Sequence, residues 1–437
     1  MDLSTLRTII RTKGLRRRLL VVAGLLILFR LLAHVPVPVP DNAALASFLQ
    51  RLFSSNQLLG FADLFSGGAL TSFSIVMMGV APYINASIIM QLMQQVVPQI
   101  EALSKEGEQG RQKINQYTRI LTVPLAILQS FGMVFLIQQA SKSQLQIDLI
   151  GHPNLFQWVV MISAITGGSI FLMWLGEIIT EQGVGNGISL LIFAGIVARL
   201  PGQLGQFAQL ARTDNGTLLQ LILFALATIV VIGFVVVLNE GQRNVPVSYA
   251  RRVRGSRTYG GVETHLPLKV ILAGVIPIIF ALAFLSVPGF LGQIFSKAHS
   301  QSLAHIAQHA ATLFAPTSLV YAASYFALVV IFTYFYTSVV FNPDDIAENL
   351  QKQGGFIPGI RPGKETAAYL KRVVNRITLA GATGLGIIAL LPFIAQRLTN
   401  RQTLTLGGTG LLIVVAVAIE TMNQLKAQAV MTSYENY

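Results

Sequence analysis

The chain is 437 residues long, 53% hydrophobic and only 11% charged, where an ordinary soluble protein carries about 25% charged residues. That excludes a soluble globule, and with apolar runs of membrane-spanning length recurring from Leu19 to Met422 the sequence reads as one polytopic membrane protein. There is no cysteine, which removes disulfides, thiolate nucleophiles and cysteine-based metal sites, and 31 Lys and Arg against 18 Asp and Glu leave a formal charge of +13.

At about 20 apolar residues per span, the sequence predicts ten, near 19–37, 70–93, 116–138, 156–176, 186–201, 218–239, 267–288, 317–341, 378–396 and 404–423. Arg7, Arg11, Lys13 and Arg16 to Arg18 precede Leu19–Ala33 as in a signal peptide. Pro36, Pro38 and Pro40 follow instead of a small-residue cleavage site, so a retained first span is expected. The second run holds Pro82 and Asn85 and the fifth is short. Both are expected to face protein or water, where freed backbone groups find partners.

Counted over alternate loops, 23 of the Lys and Arg fall on one side and 7 on the other, with Arg30 inside the first span. Both termini are therefore expected in the cytoplasm. Ten spans divide into residues 1–212 (spans 1 to 5) and 213–437 (spans 6 to 10), and five spans per half would make the halves inverted about an internal path. Two cytoplasmic loops, 239–266 and 342–377, are longer than a connection needs, and surplus loops on a scaffold usually bind something. In the second, Asn342 to Asp345 look like a helix start, and 366–377 is a helical candidate leading into span 9.

Chemistry for an enzyme is missing. There is no HExxH, and none of the seven Asp lies well inside a span. His305 and His309, one turn apart with His299 upstream, lack a nearby carboxylate and read as loop residues rather than a metal site. GVGNG, from Gly183 to Gly187, connects two apolar helices with no strand before it, so a tight turn is expected rather than a phosphate cradle. An ion-coupled transporter would bury carboxylates at mid-membrane. Here Glu177, Glu181 and Glu420 sit near predicted span ends.

Several ungapped stretches carry a resemblance: PYINASIIMQL (82–92), WLGEIITEQGVGNGISLLIFAGI (174–196), THLPLKV (264–270), AGVIP (273–277), FIPGIRPG (356–363) and GGTGLLIVV (407–415). In both halves and in order, the chain resembles the SecY family of protein-conducting channels, of the bacterial or plastid type. The resemblance implies an all-α polytopic membrane protein with ten transmembrane helices in two inverted five-helix halves around a central hourglass pore. It implies a pore ring at Val80, Ile84, Ile188, Ile192, Ile279 and Ile413, each β-branched and apolar. Such a ring offers a passing chain no hydrogen bonds and closes on any side chain as a gasket. Composition alone reads the same residues as ordinary apolar helix.

By the same resemblance 62–73, with Ala62, Asp63, Leu64, Phe65, Ser66, Gly67, Gly68, Ala69 and Leu70, is the plug of the outer funnel. A static re-entrant loop is the alternative. The lateral gate is expected between spans 2 and 3 and spans 7 and 8, with Asn85, Gln91, Gln94 and Gln95 as polar contacts and Pro277 as a flexure.

Arg251, Arg252, Arg254 and Arg257 fall within seven residues of one long loop, and Arg361 and Lys364 lie in the other. Clustered guanidinium groups suit phosphate or carboxylate partners, anionic lipid among them. The resemblance implies docking of the ribosome and of the SecA motor ATPase there, with Arg361 held on a turn by its neighbouring Pro and Gly. It further implies SecE and SecG subunits, signal peptides and nascent polypeptides as clients, contact with a membrane insertase, no cofactor, and a plasma or thylakoid membrane. A solute carrier and a ribosome-anchoring scaffold are the competing readings.

Overall fold

The computed structural model describes residues 12–39, 42–55, 63, 66–145, 150, 153–213, 215–249, 252–254, 257–259, 263–295, 301–315, 318–399 and 403–435. In chain order the elements are α1 (Lys13–Leu32), α2 (Asn42–Ser55), α3 (Ala81–Val96), α4 (Pro98–Lys105), α5 (Glu108–Leu145), α6 (Leu155–Glu181), α7 (Gly187–Thr213) and α8 (Asn215–Glu240). Then come β1 (Gln242–Tyr249), β2 (Arg252–Arg254), β3 (Arg257–Tyr259), β4 (Glu263–Lys269), α9 (Ile276–Phe295), α10 (Gln301–Leu313) and α11 (Leu319–Val340). α12 (Pro343–Lys352), β5 (Gly355–Phe356), α13 (Lys364–Thr399) and α14 (Thr403–Glu435) complete the chain.

A helix occupies each predicted span: α1, α3, α5 to α9, α11, α13 and α14. Among the described residues, four stretches are long and apolar enough to cross a membrane on those grounds alone: Glu108–Lys142, Leu155–Glu181, Leu319–Lys352 and Lys364–Leu391. Large apolar side chains stay open on their outer faces, including Ile120 and Leu128 on α5 and Ile331 on α11. Lipid is the solvent in which such a surface is stable.

Spans 2, 5 and 7 depart from their predicted bounds in ways that bear on the site. Span 2 is helical only from Ala81, because residues 66–80 run as consecutive turns through Gly67, Gly68, Phe73 and Gly79, all at positive φ. Span 5 continues through Pro201 to Thr213, a length its polar end conceals. Span 7 begins at Ile276, since residues 267–269 belong to β4 and a turn containing Gly274 follows. Pro277 is thereby placed in the first turn of α9, where its missing N–H is one no helix would have used, so the flexure argument fails there. The proline inside α9 is Pro288.

By packing, the chain forms two compact units, residues 1–225, 282–322 and 392–437 in one and 226–281 and 323–391 in the other. In the first, Leu45, Phe48 and Leu49 of α2 pack with Phe73, Met77, Ile137, Met161 and Ile165 in a closed apolar core. Gly168 of α6 lies so close under the Ile75 carbonyl that a β-carbon there would collide with it.

In the second unit a three-stranded antiparallel sheet, ordered β4-β1-β5, runs in register from Gln242↔Lys269 to Ser248↔Glu263. Val245 and Val247 alternate inward and join Leu268, Ile357, Leu370, Val373 and Val374 in a second core. α12 starts as expected, with the Asn342 side chain accepting from the Asp344 amide at 3.1 Å and two acids in the first turn. The candidate helix over 366–377 is the front of α13. The two surplus loops thus fold together into one sheet-and-helix module.

Candidate functional site

The segment before α3 is a stack of small turns tied by its own short polar side chains. The Ser66 hydroxyl donates to the Asp63 carbonyl at 3.0 Å and accepts from the Leu70 amide at 3.2 Å, and the Thr71 hydroxyl donates to the Gly68 carbonyl at 2.8 Å. One carboxylate oxygen of Asp63 accepts from the Thr71 amide at 3.0 Å. The other is ion-paired to Arg199 of α7. Arg30 of α1 donates to the Gly67 carbonyl at 2.6 Å. Of the predicted plug residues, Asp63, Ser66, Gly67, Ala69 and Leu70 are buried and Gly68 is half-buried. Ala62, Leu64 and Phe65 lie outside the described residues.

This segment meets α7 at Gly195 and Arg199 and α1 at Phe29 and Arg30. Ile188, Ile192, Gly195 and Arg199 are spaced four, three and four apart, which puts them on one stripe. A β-carbon on Gly67 would lie 2.7 Å from the α-carbon of Gly195, so this turn meets the helix backbone directly where both residues lack a side chain. Ile192 is fully buried, while Ile188 is half-buried with Cδ1 seated over Gly176 of α6, 2.5 Å from where a β-carbon would be.

The other predicted ring residues divide between the units. Val80 and Ile84 are buried at the start of α3, the Ile84 amide donating to the Val80 carbonyl at 3.0 Å. Ile413 is fully buried on α14, which packs against α7. These belong with Ile188 and Ile192 to the first unit, whereas Ile279, also buried, belongs to the second.

Gly183–Gly187 is a tight turn, as its setting between helices predicted. Gly183 has φ 71, and Asn186 caps α7 by accepting from the Ser189 amide at 3.1 Å. Gln428 of α14 donates from its side chain to the Gly183 carbonyl.

Among the gate candidates, Asn85, Gln91 and Gln94 are half-buried on α3, and Gln95 is exposed. Gln91 donates to the Ser87 hydroxyl at 3.1 Å, and its buried Oε1 has no partner among the described residues. Glu177, placed by the sequence near a span end, ties α6 to α5 through an ion pair with Arg119 at 2.8 Å, a pairing the sequence does not show.

On the sheet module, Arg361 and Lys364 are exposed. Gly359 and Gly363 at positive φ bracket Arg361, Ile357 anchors the turn in the core, and the Thr366 hydroxyl donates to the Arg361 carbonyl at 2.9 Å. β2 and β3 form a hairpin with register Arg252↔Tyr259 and Arg254↔Arg257, and Arg251 lies outside the described residues. At the far end of α12, Lys352 donates to exposed Glu348 at 2.7 Å and holds its carboxyl below the usual range.

Among the described residues no group of three or more His, Asp or Glu is placed to hold a metal. The missed ion-pair partner of Asp63, Arg199, had a readable signal: it continues the stripe of Ile188 and Ile192, while Asp63 stands alone in an apolar segment that must answer its charge.

Comparison with known proteins places the chain. The SecY family model matches residues 74–422. The protein translocase subunit SecY of Mycobacterium bovis is 41% identical over 443 residues, covering 100% of this chain and 99% of that one. Its counterpart in Streptomyces scabiei is 40% identical over 431 residues, 98% of each chain. Two solved structures share the fold. One is a SecY channel whose plug domain is described as stabilising the closed state and maintaining a membrane seal, with TM-score 0.64 and 20% identity over 92% of this chain and 90% of that one. The other is Sec61 in the canine ribosome-channel complex from the endoplasmic reticulum, with TM-score 0.63 and 18% identity over the same shares. The chain belongs to the SecY family.

Proposed function

We propose that the chain is the pore-forming subunit of a protein translocase, a channel that passes unfolded polypeptides across a membrane and releases apolar segments sideways into lipid. The observation that carries this is the 41% identity to a translocase subunit along the whole chain. The proposed plug segment, seated against Gly195 and Arg199 of α7, is the feature expected of a closable pore. It is not an enzyme, and its driving energy comes from partners.

Val80, Ile84, Ile188, Ile192, Ile279 and Ile413 are proposed as the ring around the translocating chain. Branched aliphatic side chains suit that task because they shed water when close together and present nothing that binds. Halves 1–212 and 213–437 would surround the pore, and spans 2 and 3 against 7 and 8 would part as a lateral gate for signal peptides. The Oε1 of Gln91, buried with no partner among the described residues, supports a polar contact along that seam.

The sheet module is the proposed docking face, because it holds Arg361 and Lys364 exposed on a rigid turn. The ribosome is its proposed partner, supported by the ribosome-bound setting of a structural neighbour. SecA, SecE, SecG, a membrane insertase and anionic lipids remain further proposed partners. The chain is an integral membrane protein, its proposed location is a plasma or thylakoid membrane, and its Lys and Arg asymmetry supports both termini in the cytoplasm. Reconstitution into proteoliposomes with SecE, SecG, SecA, ATP and a secretory precursor tests the function. Protease-protected precursor is the expected result, and its absence with an active motor would remove the reading.

A further inference from the structure

We infer that Arg199 is the residue that latches the plug in the closed channel, through an ion pair with Asp63 that must separate before the plug can leave. The inference rests on reading 62–73 as the plug and adds the side chains that hold it.

The Asp63 side chain is 2% exposed and that of Arg199 28%. One end of the pair is thus sealed in protein while the other reaches toward solvent. The Asp63 carboxylate also takes the Thr71 amide at 3.0 Å, so the group that grips α7 is the group that shapes the plug turn. Arg30, from α1, reaches the same turn at the Gly67 carbonyl, 2.6 Å away. Two guanidinium groups from two helices therefore converge on a segment with one carboxylate. Its remaining contacts are apolar, Leu70 and Phe73 in the core with Leu45, Leu49 and Ile165 and Gly67 against Gly195, which gives close packing but little directional hold.

The physics favours a latch over a permanent strut. Inside the protein the carboxylate depends on Arg199, because an unpaired buried charge is strongly unfavourable. Once the plug swings into water both ions are solvated, and their separation then costs little. The pair therefore resists small excursions and yields to a complete exit.

The test uses the complete complex in proteoliposomes. The chain has no cysteine, so Ala69→Cys, at a fully buried plug position, supplies a single probe for a membrane-impermeant maleimide. Labelling rate then reads plug departure. In that background Arg199→Gln strands the buried carboxylate and is expected to raise labelling about tenfold. Asp63→Asn keeps an acceptor for the Thr71 amide and leaves Arg199 partly hydrated, so its rise is smaller. The double variant Asp63→Asn/Arg199→Gln has no stranded charge and is expected to label more slowly than Arg199→Gln alone. Unchanged labelling in Arg199→Gln, or additive effects in the double variant, would overturn the latch. Precursor import in the same vesicles separates the two claims: import with unaltered labelling removes the latch alone, whereas no import by the unsubstituted complex removes the channel reading.

Discussion

The Gly187 amide donates to the Thr180 hydroxyl at 2.9 Å, and that hydroxyl donates in turn to the Gly176 carbonyl at 2.8 Å, so one threonine closes the turn between α6 and α7 from inside. A β-carbon on Gly187 would collide with the Gly176 carbonyl, while one on Gly185 would meet only side-chain atoms, the nearest at 3.2 Å on Thr421. Backbone cannot give way as a side chain can. Gly187→Ala is therefore expected to destabilise by about 2 kcal/mol, and Gly185→Ala by well under half of that. Thermal unfolding of the purified complex in detergent gives the order directly.

A neighbouring pair of glycines separates packing from composition in the same way. Gly168 faces the Ile75 carbonyl in the turns before α3, whereas a β-carbon on Gly167 would meet nothing within 4 Å. Gly168→Ala should push the chain between plug and α3 outward, lowering stability by about 1–3 kcal/mol and raising the resting ion leak. Gly167→Ala should behave as the unsubstituted protein. Planar-bilayer conductance of the two variants checks this, and equal leak in both would mean the Ile75 segment adjusts without disturbing the plug.

How much of this was legible in the sequence follows from what each signal measures. Apolar run length located a helix for every span, but it marks only the part of a helix that lipid touches. α7 was cut at 201 because its last turns are polar, and α3 was begun too early because the apolar segment before it is turns, held by glycines and by Phe73 at φ 45. The sheet was readable from Val245 and Val247 with Leu268, an alternating pattern of period two, but a search for spans does not look for that period. Arg199 was hidden by bookkeeping, since a count of positive charges per loop treats each arginine as a topology marker and never asks which carboxylate it faces.

The pore ring predicts a response that an ordinary apolar core would not give. Ile192 and Ile413 are both fully buried on helices that pack together. Truncating either to alanine should lower stability by about 2–5 kcal/mol whatever its role. If they also seal a pore, Ile192→Ala and Ile413→Ala raise the resting leak, and alanine at Ile179, equally buried on α6 outside the ring, does not. Conductance and melting temperature measured on all three variants separate the roles, and a leak that merely follows lost stability would remove these two residues from the ring.

Arg361 tests the docking face because its fold and its chemistry can be varied separately. Its side chain is exposed, so Arg361→Glu should leave the melting temperature of the complex within the effect of about 0.5 kcal/mol typical of surface substitutions. Binding to a phosphate- or carboxylate-bearing partner should fall by tenfold or more, on the order of 1–3 kcal/mol for a lost charged contact. Arg361→Lys keeps the charge but loses the planar fork, and is expected to fall between the two. Thr366→Val leaves Arg361 in place but removes the hydrogen bond to its carbonyl, so it should loosen the turn, lower stability by about 1 kcal/mol and weaken binding only partly. Ribosome and motor co-sedimentation, each at low and physiological salt, reads all three variants. Charge steering by the surrounding arginines predicts a loss that shrinks as salt rises, whereas a specific contact at Arg361 persists. Binding by Arg361→Glu equal to that of the unsubstituted complex at both salts would move the docking face away from this turn.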